Sequence, residues 1–308
     1  MNKFRLVTRS DFDGLVCAVL LKHLDMIDDI LFVHPKDMQD KKIEITKRDI
    51  TTNLPYVPEC YLSFDHHISE TKRNVEHFGN HIIDSSAPSA ARVVWNHYGG
   101  TITFPEKWQE MMDAVDKGDS GNFSLDEIKK PTSWVLLNFL MDARTGLGRF
   151  HDFRISNYQL MMELIDYCRN HTIHEILCLP DVKERIDLYN QYKKDFIKQL
   201  KKCSNKYENL IILDLRNEEI IYPGNRFMIY ALYPECNISI HILKGFKGMN
   251  TVFATGKSIL NKTSKTNVGE LMLKYVGGGH DAAGTCQVEH EDAERVLNEL
   301  IIKITQDG

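Results

Sequence analysis

The sequence lacks paired cysteine motifs and long apolar runs. Its seven cysteines are odd in number, scattered along the chain and never arranged as C-x-x-C. This distribution is typical of reduced thiols and predicts a cytoplasmic protein without a disulfide framework. No run of about 18 apolar residues is present, so no membrane span is expected. The first residues lead directly into a charged segment at residues 9–13 and do not fit the pattern of a signal peptide.

The chain also lacks an excess of basic residues. Its formal net charge is -5 at pH 7, whereas binding along duplex nucleic acid requires a basic face that neutralises many phosphates. Duplex nucleic acid is therefore not expected as a partner. A short anionic substrate remains compatible with this charge, because a metal ion and a few Lys or Arg side chains can supply positive charge locally.

Short apolar segments alternate with helical patterns in the first part of the chain. Strands are predicted at residues 4–8, 30–34, 42–46, 61–64 and 81–83. Alternating strands and helices indicate an α/β domain with a parallel, doubly wound sheet, whose ligands gather at the carboxyl ends of the strands.

The second part of the chain changes from helical patterns back to strands. Helical character begins at residue 106 and ends in a charged amphipathic stretch, and strands return at residues 209–213, 227–233, 238–243 and 251–254. Because single cores stop growing near roughly 250 residues, we expect two domains. We assign residues 1–180 to the sheet domain, 181–205 to a helical linker and 206–308 to a smaller C-terminal α+β domain.

Two clusters of metal-competent side chains follow predicted strands. Asp11 and Asp13 stand one residue apart where the first strand ends, and Asp65, His66 and His67 follow the fourth strand. Carboxylate oxygens and imidazole nitrogens are common ligands of divalent cations. An isolated D-x-D is more often a helix-capping turn, but two adjacent histidines beside an aspartate at the same sheet edge favour a metal site.

Two further aspartates extend this set. Asp49 comes directly after the predicted third strand, and Asp116 lies in an acidic helical stretch at residues 112–119. Each by itself is typical of a solvated loop or helix carboxylate. Because they lie along successive predicted strands and helices, as the two clusters above do, both aspartates are candidate metal ligands.

A glycine run in the second domain has an anion-binding pattern. Gly277, Gly278 and Gly279 lack a Cβ, so their backbone N–H groups can approach an anion closely, and His280 follows at once. The alternative is a flexible turn between a helix and a strand. Lys257 could supply charge to a distal phosphate, although a single lysine is usually solvent-facing.

In this order, these motifs resemble those of the DHH phosphoesterases. That superfamily includes family II inorganic pyrophosphatases, exopolyphosphatases, nano-RNases, cyclic dinucleotide phosphodiesterases and RecJ-type exonucleases. Residues 277–284 are similar to the glycine-rich signature of the DHH-associated domain, so the resemblance spans nearly the whole chain. Within the superfamily, the sequence most resembles the exopolyphosphatase-related, nano-RNase-like branch.

The resemblance implies a role for each candidate residue. One metal ion would be held by Asp13, Asp49, His66 and Asp116. Asp49 would bridge to a second ion that Asp11 also contacts, with manganese expected and magnesium as the alternative. His67 would contact the scissile phosphoryl group and Asp65 would orient the histidines, while a metal-activated water attacks phosphorus.

The chain departs from the family pattern shortly before the D-x-D. Many relatives have a His or an Asp there, whereas this chain has Val7 and Arg9. The second metal site is therefore weak, or completed by His34, or partly replaced by the Arg9 guanidinium. Arg9 is accordingly a candidate substrate-binding residue.

The function that the resemblance implies is metal-dependent hydrolysis of dinucleotides or short oligonucleotides. Inorganic polyphosphate or pyrophosphate is the alternative substrate, and a degenerate nucleotide sensor without turnover is the alternative outside enzymes. A processive exonuclease would need a basic groove with aromatic side chains for stacking, which the net acidity disfavours. The sequence is also compatible with a homodimer.

Overall fold

The computed structural model describes residues 3–67, 78–150 and 152–308. It divides into two compact units, which we call unit 1 (Met1–Phe123 and Pro131–Asp187) and unit 2 (Ser124–Lys130 and Leu188–Gly308). None of the helices in the described ranges combines the length and the apolar character that crossing a membrane requires.

Unit 1 contains a parallel sheet of five strands. The strands are β1 Phe4–Arg9, β2 Ile27–Val33, β3 Asp49–Thr52, β4 Leu62–Asp65 and β5 His81–Ile83. Their order in the sheet is β2-β1-β3-β4-β5, and all neighbours run parallel. The prediction of a parallel, doubly wound sheet is confirmed. In this order the winding reverses between β1 and β3, and ligands of such sheets bind at the carboxyl edge beside that point.

Helices pack around this sheet. Those of unit 1 are α1 Phe12–His23, α2 Pro35–Gln39, α3 Ala90–His97, α4 Gln109–Ser120, α6 Ser133–Met141, α7 Asn157–Asn170 and α8 Ile173–Cys178, while α9 Pro180–Lys202 continues into unit 2. Helix α1 is buried from Phe12 to Leu21 and contacts α3, α4 and α7. A helix that is apolar on all sides requires such central burial, and it fixes the turn that precedes it.

The predicted strand at residues 42–46 is wrong. These residues lead into a turn in which Asp49 Oδ2 accepts hydrogen bonds from the Thr46 backbone N–H at 2.7 Å and the Thr46 hydroxyl at 3.1 Å. Strand β3 therefore begins at Asp49, whose register partner is Arg5 near the start of β1. Asp49 lies at the amino edge of the sheet and not at the carboxyl edge.

Unit 2 is built on a mixed sheet of six strands. They are β6 Ser204–Tyr207, β7 Leu210–Asp214, β8 Ile238–Lys244, β9 Thr251–Lys257, β10 Gly278–His280 and β11 Ala283–Val288, in the order β10-β11-β9-β8-β7-β6. Helices α5 Leu125–Lys129, α10 Met228–Leu232, α11 Val268–Leu273 and α12 Ala293–Asp307 complete the unit. One buried core joins the sheet to α11 and α12, with Ile240, Phe253, Met272 and Leu300 among its members. The α+β prediction for this part is confirmed.

The predicted strand at residues 227–233 is a helix, α10. Its sequence is apolar and aromatic, so local preference favours a strand. Tertiary contacts decide otherwise: the Tyr230 hydroxyl donates to Gly256 O at 2.6 Å and lies 2.8 Å from Ser239 Oγ. These contacts hold α10 against strands β8 and β9.

Candidate metal centre

Three side chains from distant parts of the chain meet at the carboxyl edge of the unit 1 sheet. Asp13 lies in the first turn of α1, His66 directly follows β4, and Asp119 lies in the last turn of α4. One ligand atom from each lies within 4.8 Å of the other two. This is the edge at which the strand order predicts a ligand.

The Asp13 carboxylate is buried and fixed by backbone donors. Its Oδ1 accepts from the Ala91 N–H at 2.7 Å and its Oδ2 from the Ala90 N–H at 3.0 Å, both in the first turn of α3. The Oδ1 atom also accepts from Cys17 Sγ at 4.0 Å, and Oδ2 keeps a further lone pair for another partner. Burial, reinforced by the charge of Asp119, raises the pKa of Asp13 to about 8. Such a carboxylate needs additional positive charge to stay ionised at neutral pH.

The His66 ring is oriented as a metal-binding imidazole. Its Nδ1 lies 3.2 Å from Ala87 O, and its Nε2 lies 2.7 Å from Asp119 Oδ2 without hydrogen-bond geometry. Metal-binding histidines commonly donate one ring N–H to a carbonyl and coordinate through the other nitrogen. Burial lowers the pKa of His66, but the contact with Asp119 outweighs it and raises that pKa to about 9. Asp13, His66 and Asp119 therefore fit a divalent cation.

Asp65 and His67 form a pair beside this cluster. His67 Nδ1 lies 2.7 Å from Asp65 Oδ1, and the Asp65 side chain is completely buried at the end of β4. Burial lowers the pKa of His67, but Asp65 more than compensates and raises it above the ordinary value. Asp65 therefore lies at hydrogen-bond distance from the His67 ring, as its predicted role of orienting the histidines requires.

Asp11 caps α1 and carries an ion pair. Its Oδ1 accepts from the Gly14 N–H at 3.0 Å, and its Oδ2 lies 2.9 Å from Arg9 Nε. A Cβ on Gly14 would lie 2.0 Å from Arg9 O, which explains the glycine in this tight turn. Burial raises the pKa of Asp11, and Arg9 opposes that shift. Asp11 is not part of the cluster that Asp13 forms.

Asp49 does not lie at this edge, so the structure does not bring it together with Asp13 and His66. Its Oδ1 lies 2.6 Å from Arg5 Nε and its Oδ2 3.0 Å from Arg5 Nη2. Burial alone would raise the pKa of Asp49, but the bonds from Arg5 and Thr46 lower it below its ordinary value. His34 is also elsewhere: it is exposed, and its Nδ1 caps α2 by accepting from the Lys36 N–H at 3.1 Å.

Asp116 was predicted as a ligand, but the structure does not group it with Asp13 and His66. Its carboxylate accepts from Ser89 Oγ at 2.7 Å and from Arg92 Nε at 2.8 Å. Asp119, one helical turn later, takes the position expected for Asp116. The sequence feature beside Asp119 is Gly118. A Cβ at this position would lie 2.0 Å from Asn138 Nδ2, so the position requires glycine. That glycine marks where α6 packs closely against α4.

Sequence reasoning also missed Asn53. It directly follows β3, is 1% exposed, has φ of 55° and donates its backbone N–H to Phe64 O at 3.1 Å. Neither amide atom of its side chain has a hydrogen-bond partner among residues 3–67, 78–150 and 152–308. A buried amide without partners is costly, so Asn53 is a further candidate site residue at the carboxyl edge.

The glycine run in unit 2 is a strand and not an open loop. Residues 278–280 pair antiparallel with β11, and a Cβ on Gly277 or Gly279 would lie 2.4 or 2.3 Å from backbone oxygens of that strand. Close packing thus explains these two glycines, whereas Gly278 faces open space. Lys257 Nζ lies 2.7 Å from Asp281 Oδ2. The substrate-binding roles of Gly277, Gly278, Gly279, His280 and Lys257 stay predictions.

Gly118→Ala is expected to lower the free energy of unfolding by about 1 to 3 kcal/mol, the usual cost of overpacking a core. The new methyl group must displace Asn138 or α4, and Asp119 moves with that helix. Manganese affinity measured by calorimetry should therefore fall together with stability measured by urea denaturation. Gly79→Ala is the control, because a Cβ there meets nothing within 4 Å. Equal behaviour of the two variants would contradict the packing argument.

Comparison with known proteins places this geometry in a family. No protein-family profile matches the chain, and no curated protein sequence matches it. Among solved structures, a pGpG-specific phosphodiesterase, PggH from Vibrio cholerae, is 64% identical with a TM-score of 0.85, over 99% of this chain and 100% of that chain.

More distant structures share the fold alone. RecJ from Thermus thermophilus, solved with Mn²⁺, is 12% identical with a TM-score of 0.53, over 99% of this chain and 52% of that chain. CDC45 from Entamoeba histolytica is 8% identical with a TM-score of 0.53, over 98% and 95%. With 64% identity to PggH along the full length of both chains, the protein belongs to the DHH phosphoesterase superfamily.

Proposed function

We propose that the protein is a metal-dependent phosphodiesterase that hydrolyses linear dinucleotides, with pGpG as its substrate. The observation that carries this proposal is the 64% identity to a pGpG-specific phosphodiesterase over the full length of both chains. The convergence of Asp13, His66 and Asp119 supports it, because these residues supply the ligands that such chemistry needs. Hydrolysis of the single internal diester of pGpG yields two molecules of GMP.

Asp13, His66 and Asp119 would hold the divalent cation, for which we propose manganese, with magnesium as the alternative. When bound, the cation lowers the pKa of a coordinated water and stabilises charge on the phosphoryl group. The protein prepares the ligands in advance. The N–H groups of Ala90 and Ala91 fix the Asp13 carboxylate, and Ala87 O fixes the His66 ring.

His67 would contact the phosphoryl group that is attacked. Its pKa is raised because Asp65 stabilises the imidazolium, and a protonated imidazole is a strong donor to an anionic oxygen. A water oxygen forms the new bond to phosphorus, and the bond between phosphorus and the leaving nucleoside oxygen breaks. His67 would give the leaving oxygen its proton, and the water would lose one to solvent.

Unit 2 and the cysteines bear on the substrate partner and on the cellular location. The glycine hairpin with His280, together with Lys257, is the proposed substrate-binding element of unit 2. A cytoplasmic location is supported by the seven cysteines, all of which are free thiols. A homodimeric state and the lack of duplex binding stay predictions.

Two other functions are compatible with the chain. Hydrolysis of polyphosphate or pyrophosphate would use the same cluster, since both substrates present phosphoryl groups to a cation. A nucleotide sensor without turnover is favoured by two departures at the sheet edge, the ion pair of Arg9 with Asp11 and the neutral Asn53. Substrate tests separate all three.

The proposal is tested with the purified protein in manganese against a panel of substrates. The panel contains pGpG, pApA, cyclic di-GMP, a short RNA, pyrophosphate and polyphosphate, and products are separated by chromatography. We expect GMP from pGpG at a kcat/KM at least about 10-fold above that of any other compound, which corresponds to roughly 1.4 kcal/mol of discrimination. Loss of this activity in Asp13→Ala excludes a contaminant. Release of phosphate from polyphosphate alone, or no release from any compound, would overturn it.

A further inference from the structure

In the part of the chain that the structure describes, the cluster at the carboxyl edge offers ligands for one cation and not for two. Among the described residues, the groups of side chains with metal-ligand spacing are Asp13 with His66 and Asp119, and Asp65 with His66 and His67. Asp11 belongs to neither group. Asp65 and His67 already bond to each other, which leaves the first group as the cation site.

A second cation beside Asp11 would find few ligands. Asp49 lies at the other edge of the sheet with Arg5, His34 caps α2, and Val7 is apolar and buried. Asn53 is neutral, so it adds no negative charge to the edge. Carboxylates supply the negative charge in the sites of hard divalent cations, and Asp11, the carboxylate described in this part of the centre, is already paired with Arg9.

Positive charge from the protein already surrounds Asp11. Arg9 Nε lies 2.9 Å from Asp11 Oδ2, and Arg144 lines a small pocket together with Asp11, Asp13 and Asp119. The Asp142 carboxylate holds Arg144 in place: its Oδ1 accepts from the Arg144 backbone N–H at 2.9 Å and from Arg144 Nε at 2.7 Å. A divalent cation next to Asp11 would be repelled by two guanidinium groups that the fold keeps in place.

The terminal nitrogens of both arginines are available for a ligand. Within residues 3–67, 78–150 and 152–308, Arg9 contacts Asp11 through Nε and Arg144 bonds to Asp142 through Nε, and each side chain is partly exposed, 34% and 51% respectively. A guanidinium presents its remaining N–H groups as a planar fork that matches two phosphate oxygens. Arg144 lines the pocket beside Asp13 and Asp119, and Arg9 lies against Asp11, so both forks lie next to candidate cation ligands.

We infer that the protein works with a single divalent cation and that the guanidinium groups of Arg9 and Arg144 bind the substrate phosphate in the place of a second cation. This inference rests on the proposed function for the identity of the substrate. The number of bound cations and the role of the two arginines are nevertheless measurable without turnover.

The first experiment counts cations on the full chain. Manganese is titrated into metal-free protein and followed by calorimetry and by electron paramagnetic resonance. We expect one ion per chain and the six-line spectrum of an isolated ion. Two ions per chain with a spin-coupled spectrum would overturn the inference, whether or not the protein hydrolyses pGpG.

The second experiment measures pGpG and inorganic phosphate binding to metal-free protein. Arg9→Gln and Arg144→Gln are each expected to raise the Kd for pGpG by about 10-fold or more, because each substitution removes charge-assisted hydrogen bonds to the phosphate. Arg154→Gln, an exposed arginine of the same unit paired with Asp181, is the control and should bind like the unchanged protein. Circular dichroism and an unchanged stoichiometry of one manganese show that the variants fold.

The outcomes separate the inference from the proposed function. Unchanged affinity in both arginine variants would overturn the inference even if pGpG is cleaved rapidly. One manganese per chain with arginine-dependent phosphate binding, but no nucleotide hydrolysis, would support the inference and reject the proposed function.

Discussion

Asp119→Asn is expected to lower kcat/KM for pGpG by about 10³-fold. The side chain lies within 4.8 Å of the ligand atoms of Asp13 and His66, and its Oδ2 is 2.7 Å from His66 Nε2. A bound cation supplies several kcal/mol of transition-state stabilisation, and about 1.4 kcal/mol corresponds to a tenfold change in rate. Steady-state kinetics in manganese, together with a manganese titration, measure both the loss of rate and the loss of affinity.

Asp116→Asn is the matched control on the same helix. Asp116 bonds to Ser89 and Arg92 and not to the cation ligands, so kcat/KM should stay within about threefold while the melting temperature falls. Losing one partner of a partly buried ion pair costs on the order of 1 to 3 kcal/mol. If Asp116→Asn abolished hydrolysis and Asp119→Asn did not, the assignment of the α4 ligand would be wrong.

The two aspartates show what could be predicted about this helix. An acidic stretch with Asp113, Asp116 and Asp119 at intervals of three residues was evident in the sequence. The sequence pattern does not determine which of them faces the sheet edge, because helix rotation is set by packing. Here the close approach of Gly118 to Asn138 and the ion pair of Arg92 with Asp116 fix the rotation.

Asp49 shows a different source of error. The parallel sheet and the residues after β1 and β4 were predicted, because strong apolar segments end there in acidic or histidine-containing turns. The third strand was placed a few residues too early. In a parallel sheet such an error exchanges the amino edge for the carboxyl edge, which is why the sequence pattern predicts Asp49 and not Asn53 at the carboxyl edge. The Thr46–Asp49 turn that starts β3 depends on side-chain bonds that periodicity does not report.

Removing the metal is expected to make stability depend strongly on pH. In metal-free protein the pKa of Asp13 is raised by burial to about 8, and contact with Asp119 raises that of His66 to about 9 despite burial. Both groups then hold protons in the folded state that the unfolded state has released. Stability therefore falls as pH rises through this range, by about 1.4 kcal/mol per pH unit for each proton involved. The lowered pKa of Asp119 acts only below its ordinary value of 3.8, outside this range.

Manganese should abolish this dependence, because the cation takes the place of the protons on Asp13 and His66. Urea denaturation from pH 5.5 to 8.5 should give a falling curve in chelator and a flatter, higher curve in saturating manganese. A cation at 100 times its Kd adds about 2.7 kcal/mol, and chelation should also abolish hydrolysis. Asp119→Asn removes the charge that raises the pKa of His66 and adds to the burial that raises the pKa of Asp13, so its metal-free curve should be flatter than that of the unchanged protein. A metal-free curve that does not fall with pH would show that Asp13, His66 and Asp119 do not form the compact charged cluster on which the cation site depends.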